Sequence, residues 1–124
     1  MRMLTILAAA TLLTAAAPAP QSRTYTGFVT DTMCKREHAS MKISPDAKCI
    51  RDCVGDGKTY KYALMTADAI YTLSDQETPA KFAAQQVKVT GVLYTKTNIL
   101  KVESIKPVRW PAPITAGTGR STPR

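Results

Sequence analysis

From residue 59 to residue 105 apolar side chains recur at nearly every second position, in four short runs broken by turn-forming residues. A two-residue period belongs to strands with one buried face, so this stretch commits the chain to a mostly β fold. Residues 59–65 and 69–73 read as one hairpin across Thr66-Ala-Asp68, and residues 87–94 and 99–105 as a second across Thr95-Lys-Thr-Asn98. In the third run Val87, Val89 and Leu93 alternate with Lys88 and Thr90, which buries one face and wets the other. Val102 and Ile105 fall out of phase, predicting a bulge near Glu103-Ser104. Between the hairpins, residues 78–84 read as a helix with Pro79 near its start and Phe82 on its apolar side. Ser74 and Glu77 match a capping box for it.

Upstream, residues 23–30 form a β-branched and aromatic first strand, in which Gly27 predicts a bulge or a close backbone approach. Asp31-Thr32 resembles an N-cap for a short helix or turn over residues 33–39. A loop over 40–48 follows, then a second short helix at 47–54, capped by Asp46 and stopped by Gly55-Asp-Gly57. The expected architecture is a small five-stranded OB-like barrel, with a helix between strands 3 and 4 and a short helical Cys/His insertion after strand 1.

At 124 residues the chain fits one domain, expected at 23–107. Residues 1–19 read as a secretory signal: Arg2, a ten-residue apolar run from Leu4, then Ala15-Ala16-Ala17, with cleavage expected near Ala19 to Ser22. The apolar run is too short for a transmembrane anchor, and the expected location is secreted or periplasmic. From Pro107 the composition turns to Pro, Gly, Ser, Thr and Arg, so residues 108–124 read as a disordered tail. The formal net charge is +8, but Arg2, Arg109, Arg120 and Arg124 lie outside the strand-bearing part. That leaves 13 Lys+Arg against 9 Asp+Glu. A modest basic excess suits a soluble surface, or one that meets an anionic envelope polymer or a peptide.

Three cysteines and the one histidine fall in the order Cys34-x3-His38-x10-Cys49-x3-Cys53. On a helix, a spacing of four puts both members of a pair on one face. Three thiols cannot all pair within one exported chain, so the histidine at matching spacing points to a metal. Cys34, His38, Cys49 and Cys53 are the expected ligands. A Cys₃His set is a closed zinc site, and Zn²⁺ ranks first. Met33 and Met41 near the thiols make Cu(I) the second choice. The spacing lacks the C-x₂-C knuckle of zinc fingers, and no C-x-x-C-H haem run is present.

The block Asp31-Thr-Met33-Cys34-x3-His38, with Cys49-x3-Cys53, Tyr71-x-Leu-Ser-Asp75-Gln76, Lys88-Val-Thr-Gly91-Val-Leu and Ile99-Leu-Lys-Val-Glu103-Ser-Ile105, resembles a family of small exported bacterial proteins. That family carries a domain-of-unknown-function label and is similar to OB-fold proteins of the cell envelope. The resemblance spans about residues 24–106. It implies fold and export, and brings no established activity with it.

A rival to the metal is one disulfide from Cys34 to Cys49 or Cys53, worth on the order of 3 kcal/mol in the loop-entropy picture, which leaves a binding module with its ligand on the barrel face. A catalytic scheme with Cys34 as nucleophile, His38 as base and Asp31 orienting the imidazole lacks an oxyanion site, so no enzyme is expected. Tyr25, Tyr60, Tyr62, Tyr71 and Tyr94 with Lys61, Lys88 and Lys101 suggest a stacking groove. Tyrosine in a small barrel is more often packing, and export removes nucleic-acid partners. Trp110 is expected to cover the barrel's open end.

Overall fold

One strand, β1 (Ser22–Asp31), serves two neighbours, and this is why the sheet closes. Its first part, Ser22 to Phe28, pairs antiparallel with β4 (Gln86–Tyr94), and its last part, Phe28 to Asp31, pairs antiparallel with β2 (Tyr62–Met65). The exchange of partners falls at Gly27-Phe28, where the strand must curl. A Cβ on Gly27 would strike the carbonyl of Met65 on the crossing strand. Only glycine lets the two backbones come that close, so the expected close approach is present.

The computed structural model describes residues 17–109. Among them, β2, β3 (Ile70–Leu73), β4 and β5 (Ile99–Pro107) follow in chain order, and the five strands close in a ring in the order β1-β2-β3-β5-β4. All neighbours are antiparallel except β3 and β5, which run parallel over Thr72–Ile99 and Leu73–Leu100. The fold is mostly β, as expected. The predicted bulge is present: Thr90 faces Ser104 and Gly91 faces Val102, so Glu103 has no partner of its own. Inside the ring lie Val29, Leu64, Leu73, Val87, Val89 and Leu100, each almost fully buried.

The single α-helix among the described residues, α1 (Asp46–Val54), adds Ile50 and Val54 to the same core. Gly55 and Gly57 end it with positive φ, as the sequence predicts. Asp46 is its first residue, one position inside the expected cap, which Pro45 occupies. Arg51 Nε reaches from the helix to the carbonyl of Ala80, 2.9 Å away.

The segment expected as a short helix or turn is a turn, and the helix expected at 78–84 takes another form. Residues 32–36 make a turn followed by a 3₁₀ turn at Ala39–Met41, because Lys35 adopts a left-handed backbone (φ 58°) that a right-handed helix cannot pass through. Residues 78–84 are a 3₁₀ turn at Thr78–Phe82 without a capping box. Asp75 takes that role, its Oδ1 accepting from the N–H groups of Glu77 (2.9 Å) and Thr78 (3.1 Å). Ser74 Oγ instead accepts from Val102 N on β5, 2.9 Å away. Residues 1–16 of the expected signal, residues 110–124 of the expected tail, and Trp110 lie outside the described residues. Among the described residues, no helix is long and apolar enough to cross a membrane.

Candidate metal centre

The centre is assembled where β1 ends. Asp31, fully buried, turns its Oδ1 back over the chain and accepts from the backbone N–H groups of Met33 (2.8 Å) and Cys34 (2.7 Å). This clamp forms the tight turn that carries Cys34, and it is the capping behaviour expected of Asp31. Across the turn, α1 presents Cys49 and Cys53 one helical turn apart, with Cys49 fully buried. The sulfurs of Cys34 and Cys53 lie 3.7 Å apart. All three cysteines are free thiols.

The expected ligands do not fall into one group of four: Cys34 is gathered with His38 and Cys49, and separately with Cys53, from one turn and one helix. Donor atoms of Cys34, His38 and Cys49 lie within 4.8 Å of one another. So do those of Asp31, Cys34 and Cys53, a second group that shares the Cys34 sulfur. Two thiolates on one tetrahedral Zn²⁺, each about 2.3 Å from it, stand roughly 3.8 Å apart. The Cys34–Cys53 separation has that length.

The imidazole is oriented by Thr30, a buried residue that sequence reasoning passed over. Its hydroxyl lies against both the carbonyl oxygen of Lys35 and His38 Nε2, the latter at 3.1 Å. A carbonyl only accepts, so the single hydroxyl proton goes to Lys35. Thr30 must then accept from His38, which places the imidazole proton on Nε2 and leaves the Nδ1 lone pair free. Ligand histidines are held in this way by a partner on their far nitrogen. Nδ1 is buried without a hydrogen-bond partner, and it faces Asp31 Oδ2, also buried and unpartnered, at 3.8 Å. Either a second proton on the imidazole or a metal ion between the two atoms would satisfy both.

Burial, reinforced by the neighbouring Cys53 sulfur and the Asp31 carboxylate, pushes the Cys34 thiol up to about 12. Burial and the nearby Cys53 also raise the Cys49 thiol. Without an ion these thiols hold their protons at neutral pH, and a bound ion would displace them. A cleft of about 120 Å³, lined by Thr30, Arg36, His38, Ile50 and Met65 among others, opens beside the imidazole. A wider cleft of about 490 Å³, against Pro20, Arg23, Tyr25 and Leu93, includes none of the thiols. Met33 and Met41 are exposed, at 42% and 37%.

The tyrosines divide. Tyr25 and Tyr71 pack edge to face with ring centres 5.7 Å apart, Tyr62 is buried, and Tyr94 is exposed.

A family described as "Protein of unknown function (DUF5818)" matches residues 56–108. The likeness to an uncharacterised domain family therefore covers β2 to β5, and the Cys/His block lies outside it. No curated protein and no solved structure matches the chain.

Proposed function

We propose that this is an exported, non-enzymatic protein with an OB-like barrel that binds one transition metal ion through Cys34, His38, Cys49 and Cys53. The observation that carries the reading is the gathering of His38 with the sulfurs of Cys34 and Cys49 within 4.8 Å, beside a buried Nδ1 that has no hydrogen-bond partner. The OB-like reading is supported by the ring order β1-β2-β3-β5-β4, with its parallel β3–β5 pair and a 3₁₀ turn between β3 and β4. Zinc ranks above Cu(I), because the thioethers of Met33 and Met41 face solvent rather than joining the buried donors. Burial of Cys49 favours a structural ion over an exchanged cargo. Export rests on the leader-like sequence of residues 1–19.

Protein secreted by its native route, then analysed for metal and for free thiols after unfolding, tests this. About one equivalent of zinc with three free thiols supports it. The 3.7 Å approach of Cys34 to Cys53 favours a second reading, a disulfide-stapled envelope module whose ligand, an anionic polymer or a peptide, docks on the ring's face. That reading requires one free thiol, no metal, and a melting temperature that chelators leave unchanged.

A further inference from the structure

We infer that Asp31 is itself a metal donor, through Oδ2, and that it makes this centre select a divalent ion over Cu(I). The inference rests on the metal-binding reading and puts the carboxylate among its donors, so that three of Cys34, His38, Cys49 and Cys53 share a four-coordinate ion with it. Asp31 is fully buried and its two oxygens have separate tasks. Oδ1 is engaged by the N–H groups of Met33 and Cys34, at 2.8 and 2.7 Å. Oδ2 has no hydrogen-bond partner and lies 3.8 Å from His38 Nδ1, and a carboxylate oxygen of Asp31 lies within 4.8 Å of the sulfurs of both Cys34 and Cys53. Capping the turn needs only the first oxygen, so the cap does not account for a buried, unpaired second one. A shared ion does. Carboxylate and imidazole donors each stand about 2.0–2.2 Å from Zn²⁺, so two of them can bracket one ion at separations up to roughly 4.2 Å.

The chemical consequence is selectivity. Thiolates alone favour Cu(I), whereas a hard carboxylate oxygen contributes little to a soft monovalent ion and much to a borderline divalent one. With Asp31 the donor set becomes sulfur, nitrogen and oxygen around Cys34, suited to Zn²⁺, Cd²⁺ or Co²⁺. The clamp also couples the ion to the fold: the carboxylate that holds the turn by one oxygen holds the metal by the other.

Asp31→Asn separates the two tasks, because the amide oxygen still accepts from Met33 and Cys34 while Oδ2 becomes an NH₂ that cannot ligate. Asp31→Ser, a second residue able to cap, serves as a check. Zn²⁺ and Cu(I) affinities are measured by competition with chromophoric chelators on the full secreted chain, with Co²⁺ absorption reporting the coordination shell. Thermal melting of the metal-free proteins checks folding. The expected result is a metal-free Asp31→Asn protein that melts like the parent, binds Zn²⁺ about 10–100-fold more weakly, shows an altered Co²⁺ spectrum, and binds Cu(I) within a few-fold of the parent. Equal Zn²⁺ affinity in parent and both variants overturns the role of Asp31 and leaves the thiol–imidazole site standing. Parallel losses for Zn²⁺ and Cu(I) overturn the selectivity. A parent chain that takes up no divalent ion overturns the metal-binding reading itself.

Discussion

Thr30 Oγ1 sits between Lys35's carbonyl and His38 Nε2, so the chemistry of the imidazole is decided by a side chain that carries no charge. Thr30→Val keeps the shape and removes the hydroxyl, leaving two polar groups unpaired at about 1–3 kcal/mol each and freeing the imidazole to turn. Metal affinity is expected to fall about 10–100-fold in Thr30→Val and to stay near the parent value in Thr30→Ser, measured by chelator competition. Cys34 supports a prediction about pH. Its thiol is held at about 12 in the folded metal-free protein against an ordinary 9.0, so across that window the folded state carries the extra proton. Stability of the metal-free protein is therefore fully present below about pH 9 and falls as pH rises toward 12. In the metal-bound protein the thiolates already exist, the unfolded chain carries the extra protons, and stability should rise with pH up to about 9. Urea midpoints from pH 7 to 10.5, with and without zinc, check these opposite slopes; parallel slopes would remove the thiolate–metal link.

At the level of elements, the glycines at strand crossings bear the most structural weight. Gly27 passes under the Met65 carbonyl, and a Cβ on Gly91 would meet the carbonyl of Lys101 beside the bulge. Neither obstacle is a flexible side-chain tip that can swing away. Gly27→Ala and Gly91→Ala should each cost at least about 1–3 kcal/mol, seen as a fall in denaturation midpoint. The strands were legible because their period is a local property: Val87, Val89 and the unpaired Glu103 announce themselves within a few residues. The turn at 32–36 was legible in part: Asp31 was expected to cap a helix or turn there, but the choice of the turn comes from a left-handed Lys35, which composition does not encode. The capping box failed for a related reason: Ser74 has a distant partner, Val102, on a strand the local sequence cannot see. In the site, cysteine and histidine spacing found four donors, while Thr30 and the second oxygen of Asp31 depended on packing between β1, the turn and α1.

The whole molecule is a small ring with an appendage. Residues 32–54 leave β1 and return at β2, and among the contacts that tie them down are the Asp31 clamp, the Thr30 hydroxyl against Lys35 and His38, the paired bonds between Thr32 and Lys61, Arg36 reaching the carbonyl of Thr66 at 3.0 Å, Arg51 reaching Ala80, and the packing of Ile50 and Val54. A core this small gains much from one cross-link. An ion joining Cys34 and His38 on the turn to Cys49 and Cys53 on the helix would close that appendage on itself and hold it against the ring. Its removal should then act unevenly. Hydrogen exchange after chelation is expected to speed up over residues 32–54 and to leave the paired amides of β4 and β5 protected, because those strands are held by their own ladder and by Val87, Val89 and Leu100. Saturation at 1,000 times the dissociation constant contributes about 4 kcal/mol, which for a domain of this size is a melting shift of at least about 15 °C. Exchange that rises uniformly around the ring would mean that the ion holds the sheet rather than the appendage. A melting point indifferent to chelators would move the staple from a metal to the Cys34–Cys53 contact.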